Sequence, residues 1–160
     1  MKKSSTLLLK IVIVLMGIPV LAVCIFLLPI ILKDAAESSY KMAYVLYSIS
    51  ALMYITAIPY FYSLYQGMLL LKYIDYNNAF SDLAITSLKK IKISATIISL
   101  VYFAGMPLFF ILGEVDDAPG VILMGMIFIF APGVIAVFAA VLQKLLQNAI
   151  DFKTENELTI

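Results

Sequence analysis

The sequence predicts an all-α membrane protein: one membrane domain, residues 1–160, built of four transmembrane helices with both termini in the cytoplasm. Three observations predict it. The chain is 64% hydrophobic and only 13% charged, whereas soluble domains are about half apolar and about a quarter charged. The apolar residues gather into four runs, each long enough to cross about 30 Å of hydrocarbon as a helix. The lysines fall mainly on one side of those runs, and that sets an orientation.

The first run covers residues 7–32 and is interrupted only by Lys10, whose stem can snorkel to the headgroups near the helix start. "MKK" before an apolar stretch resembles the start of a signal peptide, and "LAVC" ending at Cys24 faintly resembles a lipoprotein cleavage box. Val23 is larger than such a box expects, and the run continues for eight residues past Cys24. The expectation is a retained span with a buried, inert cysteine.

The second run covers residues 42–65, with Tyr40, Tyr44 and Tyr47 near its outer end and Tyr60, Tyr62 and Tyr65 near its inner end, as an interfacial belt requires. The following stretch "GMLLLKYIDYNNAFSDLAITSLKKIK" begins as an interfacial extension of that span and breaks at "DYNN". From Phe80, apolar residues recur at Leu83 or Ala84, Leu88 and Ile91, with Ser81 as N-cap of a helix. Lys89, Lys90 and Lys92 close that helix and anchor it to anionic lipid at about 1 kcal/mol each.

The third run covers residues 93–112 and the fourth 121–142. The loop between them, "GEVDDAPG", carries Glu114, Asp116 and Asp117 in no known calcium-loop spacing, and reads as a solvated outer loop. Beyond the fourth run, residues 143–160 read as a cytoplasmic helix and tail: Leu145, Leu146, Ala149 and Phe152 carry the helical period onward. The last seven residues, "TENELTI", read as an extended acidic tip that is either disordered or a docking peptide.

Orientation follows from the lysines. Lys2, Lys3 and Lys10, the middle-loop Lys72, Lys89, Lys90 and Lys92, and the final Lys144 and Lys153 share one side, against Lys33 and Lys41 on the other. By the positive-inside rule the crowded side is cytoplasmic.

Each span has an interior proline beside a small residue: Pro19, Pro59, Pro107 and Pro132. Proline removes a backbone donor and crowds the carbonyl four residues back, so each is a candidate kink. Kinked helices can line a transport cavity, but proline and glycine are common in packed membrane helices for their own sake. No ionisable residue stands in the central part of any span, and the polar groups there are hydroxyls, of Ser48, Ser50, Tyr54, Thr56, Ser94, Thr96 and Ser99. Such hydroxyls mostly bond to their own helix or a neighbour; a binding cavity around Tyr54 and Thr56 is the functional alternative.

The inventory limits the chemistry. All eleven basic residues are lysine, there is no histidine, and Cys24 is the one cysteine. Imidazole catalysis, thiol–histidine pairs and His/Cys metal sites are excluded, so no catalytic, cofactor or metal residues are assigned. Without arginine forks or a DNA-binding module, direct nucleic-acid contact is not expected.

Two stretches, "YNNAFSDLAITSLKKIKISA" and "VLQKLLQNAIDFKTENELTI", resemble the signatures of the YoaS-like bacterial membrane proteins, a domain-of-unknown-function family of small four-span proteins. The family pattern of Asn-x-x-Phe-Ser falls on Asn77, Phe80 and Ser81, and its Glu-Asn-x-Leu-Thr-Ile tail on Glu155, Asn156, Leu158, Thr159 and Ile160. The resemblance implies a multi-pass protein of the bacterial cell membrane, without established activity, often encoded beside a small Cro/CI-type helix-turn-helix regulator. It makes those eight residues candidates for binding a cytoplasmic regulator protein.

The expected function is therefore a membrane regulatory or sensor protein that binds a cytoplasmic partner. The alternative is an oligomeric small-molecule transporter, an efflux or an immunity component, for which a homo-oligomer is required because four spans are few. An intramembrane enzyme would need Ser or Tyr chemistry with no visible base, and is not expected.

Overall fold

The computed structural model describes residues 3–77, 79–115 and 117–158, and the regular structure among them is all helical. Helix α1 (Lys3–Ala22) runs into one π-helical turn (Val23–Leu27) and on into α2 (Leu28–Glu37), so that Thr6–Glu37 forms one apolar rod. Ser38 and Ser39 reverse the chain into α3 (Tyr40–Asp75), whose 36 residues make a rod of about 54 Å. That exceeds the hydrocarbon thickness by several turns, so α3 projects from the bilayer. Asn77 then takes a left-handed conformation, φ 60°, which its short polar side chain tolerates.

Helix α4 (Asp82–Ala104) starts where Ser81 accepts a hydrogen bond from the Ala84 N–H at 3.4 Å. It does not close at Lys89 to Lys92 but continues unbroken into the third span. The reason is local: no glycine or proline interrupts it, and lysine is a good helix former. The break comes at Gly105, before α5 (Met106–Val115), and the two pieces bend by 46°. Pro107 has no N–H for the Phe103 carbonyl, and the Leu52 side chain occupies the space where a Cβ on Gly105 would sit.

Helix α6 (Pro119–Leu158) is 40 residues long, about 60 Å. The tail differs from the extended tip expected of it: it is helical as far as Leu158. After Gly133 no glycine or proline stops the helix, Gln147 bonds Asp151 at 3.0 Å, and the Thr154 hydroxyl caps back onto the Ile150 carbonyl. Among the described residues three helical segments are long and apolar enough to cross a membrane, and α4 with α5 makes a fourth if the bent pair is one span.

The helices alternate in direction. Lys10 faces Asp75, Tyr54 faces Cys24, Thr56 faces Tyr102, and Ser99 faces Ile129. The start of α1, the end of α3, the start of α4 and the end of α6 therefore share one end of the bundle, called here the terminal end. α1 and α2 pack on α3, α3 on α4, and α4 on α6. The buried core lies between α3, α4 and α5, at Val45, Ile49, Ile98, Tyr102 and Phe109, and α6 adds Phe128, whose ring centroid is 5.1 Å from that of Tyr102. Gly125 lets α6 approach this core: a Cβ there would stand 3.0 Å from the Phe109 ring.

Candidate functional site

The chain of packing from α1 to α6 does not close into a ring, because α1 and α6 make no packing comparable with the others. The space left between them, floored by α3 and α4, is a cavity of about 570 Å³. Along α3 it runs from Met53 to Gly67, about 21 Å.

Its walls are almost wholly apolar, with Ile13 and Val20 from α1, Ile98 from α4, and Ile127 and Ile135 from α6. Among the described residues no Asp, Glu or Lys lines it. Pro19 and Pro132 stand on opposite walls, whereas Pro59 and Pro107 do not line it. α3 and α6 run through Pro59 and Pro132 without interruption.

The hydroxyls fall into two groups. Thr56 bonds its own helix at the Leu52 carbonyl, 2.9 Å, and the Tyr102 hydroxyl lies 2.7 Å from the same oxygen. Because the threonine has one proton and spends it on the helix, Tyr102 is the donor to Thr56. Tyr60 donates to the Met16 carbonyl at 2.7 Å, one residue from the Leu15 carbonyl that Pro19 leaves without its usual donor. Ser63 also lines the cavity, and its buried Oγ has no partner among the described residues. A hydroxyl in that position commonly bonds the carbonyl one turn back; here its oxygen is enclosed by neighbouring atoms and does not face the open space.

Tyr54, which the sequence pairs with Thr56 as a cavity candidate, points elsewhere, donating to the Cys24 carbonyl at 2.8 Å. Cys24 itself is half-buried and lines the cavity. The sequence reading missed Tyr60, Ser63 and Gly67 as lining residues. The signal was present as spacing, since Met53, Thr56, Tyr60, Ser63 and Gly67 recur at three- and four-residue intervals on one face of α3.

The residues carrying the family pattern lie elsewhere, at the terminal end. Asn77 and Phe80 are in the turn between α3 and α4, Phe80 exposed, and Ser81 caps α4. Glu155, Asn156 and Leu158 are on the last turns of α6 and all exposed; Thr159 and Ile160 lie outside the described residues. Lys10 meets Asp75 at 2.8 Å and ties α1 to the end of α3, a partner the sequence reading did not foresee. Among the described residues no three acidic, histidine or cysteine side chains gather into a metal-binding group.

Comparison with known proteins follows the same residues. Residues 30–160 match the family described as Protein of unknown function (DUF2975). The chain is 54% identical over 160 residues, the full length of both proteins, to the uncharacterized membrane protein YoaS of Bacillus subtilis (strain 168). No solved structure matches it.

Proposed function

The chain belongs to the DUF2975 family of unknown function, and we propose that it is a membrane regulatory protein whose input is a long apolar molecule held between α1 and α6. The observation that carries this reading is the cavity itself, elongated, about 570 Å³, and free of charged lining residues. A hydrocarbon chain lying along the helices fits its length and its apolar walls. The gap between α1 and α6 opens toward the lipid, so the molecule enters sideways from the bilayer. Charged substrates and coupling ions have nothing to bind there, which favours sensing over ion-driven transport.

The output is mechanical. α1 is held by α3 and by the Lys10–Asp75 pair, and a molecule bridging α1 and α6 binds one spacing of these helices better than others. Such differential affinity is what shifts a conformational equilibrium. α6 carries the shift to its exposed final turns, Asp151 to Leu158. The lysines crowd the terminal end, so that end is the cytoplasmic one in this reading, and α6 there offers itself to a small cytoplasmic regulator protein. The reading assigns no enzymatic step.

The test is photocrosslinking in lipid nanodiscs with a long-chain alcohol carrying a tail diazirine. Labelling concentrated on lining residues such as Ile13, Val20 and Ala131, and lost in A131F, is expected. Labelling spread equally over the lipid-facing Phe130 and Phe138 would overturn the reading.

A further inference from the structure

The α3–α4 pair separates the cavity from a second depression on its opposite face. That groove, about 460 Å³ and more open, is lined by Ile58, Pro59 and Tyr62 of α3 and by Lys90, Ile93, Ser94 and Ile97 of α4. On α4 the four residues stand at i, i+3, i+4 and i+7, so they form one continuous face about 10 Å long. Lys90 is at one end of it, followed by Ile93, Ser94 and Ile97.

The depth of Lys90 follows from the sequence of α4 and α5. After Lys92 no Asp, Glu, Lys or Arg occurs until Glu114, a stretch long enough to cross the hydrocarbon. Lys90 thus lies at the headgroup level, while Ile93 and Ile97 descend into the acyl region. No acidic residue lines the groove to neutralise the lysine. Lys89, its neighbour in sequence, is also exposed but does not line the groove, and neither does Lys92.

We infer that this groove is a specific site for one anionic phospholipid, whose phosphate pairs with Lys90 and whose acyl chain lies on Ile93, Ile97 and Ile58. A charge at headgroup depth, continuous with an apolar channel running toward the bilayer centre, matches the two parts of such a lipid in the order and spacing in which the lipid presents them. A merely diffuse attraction of basic residues to an anionic surface would use Lys89, Lys90 and Lys92 alike. The groove singles out Lys90. The site is independent of the cavity between α1 and α6, and occupancy of one does not require the other.

The experiment is native mass spectrometry of the full-length protein in detergent, titrated with phosphatidylglycerol and with phosphatidylcholine. Phosphatidylglycerol is expected to be retained in preference, one molecule first. K90Q should weaken that first binding about fivefold, and K89Q should leave it unchanged. I97W, which fills the apolar floor while Lys90 stays in place, should weaken retention of the intact lipid. Free glycerophosphoglycerol should not compete, which separates a lipid site from a bare phosphate site. Equal weakening by K89Q and K90Q, equal retention of the two lipids, an unaffected I97W, or effective competition by the headgroup alone would each overturn the assignment.

Discussion

The Tyr54 hydroxyl donates to the Cys24 carbonyl at 2.8 Å, across the α1–α3 contact and at the one place where α1's rod changes its winding. In the π turn the Leu28 N–H is spent on the Val23 carbonyl, and the next residue, Pro29, has no N–H. The Cys24 carbonyl is left without a helical donor in a region where lipid supplies none. Tyr54→Phe should therefore destabilise the protein by about 1–3 kcal/mol, the cost of an acceptor stranded where lipid offers no donor. In a Pro29→Ala background, where a backbone N–H returns, the same change should cost clearly less. Thermal unfolding of the four proteins of this cycle checks it, and additive effects would contradict the account.

Thr56 and Tyr102 differ in what each leaves behind. Tyr102→Phe removes a donor while Thr56 keeps its bond to Leu52, so a loss of about 0.5–1.5 kcal/mol is expected. Thr56→Val strands the Tyr102 hydroxyl beside the apolar core and should cost more, about 1–3 kcal/mol. Unfolding in a fixed detergent ranks the two, and the reverse order would show that the donor assignment is wrong.

Two glycines of α6 should respond oppositely to alanine. A Cβ at Gly125 would meet the Phe109 Cγ at 3.0 Å and the Met106 sulfur at 3.1 Å, and Phe109 is buried and cannot swing away. Gly125→Ala should cost about 1–3 kcal/mol. At Gly120 nothing lies within 4 Å, and Gly120→Ala should be neutral or stabilise by up to about 1 kcal/mol through the helix preference of alanine. Equal melting temperatures for the two variants would rule out close packing of α6 on α5.

The Lys10–Asp75 pair is part-buried, its side chains about a third and a fifth exposed. Lys10→Met leaves the carboxylate without this partner and should cost about 1–2 kcal/mol, between the limits for surface and buried pairs. The swap Lys10→Asp with Asp75→Lys should recover part of the loss. Comparing wild-type and Lys10→Met unfolding at low and high salt measures it: a difference that vanishes in high salt would make the pair a surface contact with no part in holding α1.

Hydropathy made the spans legible, because a backbone in hydrocarbon must satisfy itself and only a long apolar helix does so. The Ser81 cap was legible too, since capping is a local bond between a side chain and an N–H three residues on. The continuity of α4 through Lys89 to Lys92 and of α6 to Leu158 was obscured by reading charge as a stop. Lysine and glutamate leave the membrane without leaving the helix, and only glycine, proline or a cap ends the hydrogen-bond ladder.

The family pattern of Asn77, Phe80 and Ser81, and of Glu155 to Ile160, was visible as letters, and the structure places its described members in the turn after α3 and on the exposed last turns of α6. The sequence by itself determined an all-helical membrane chain, because hydrophobicity and helical hydrogen bonding act over neighbouring residues. Tertiary structure alone decided that α1 stands off from α6, that Tyr54 turns to Cys24 while Tyr60 and Ser63 line the gap, and that Lys90 but not Lys89 meets a groove. Those outcomes depend on which helix faces pack and how far apart their axes lie, and no spacing along one helix encodes the position of another.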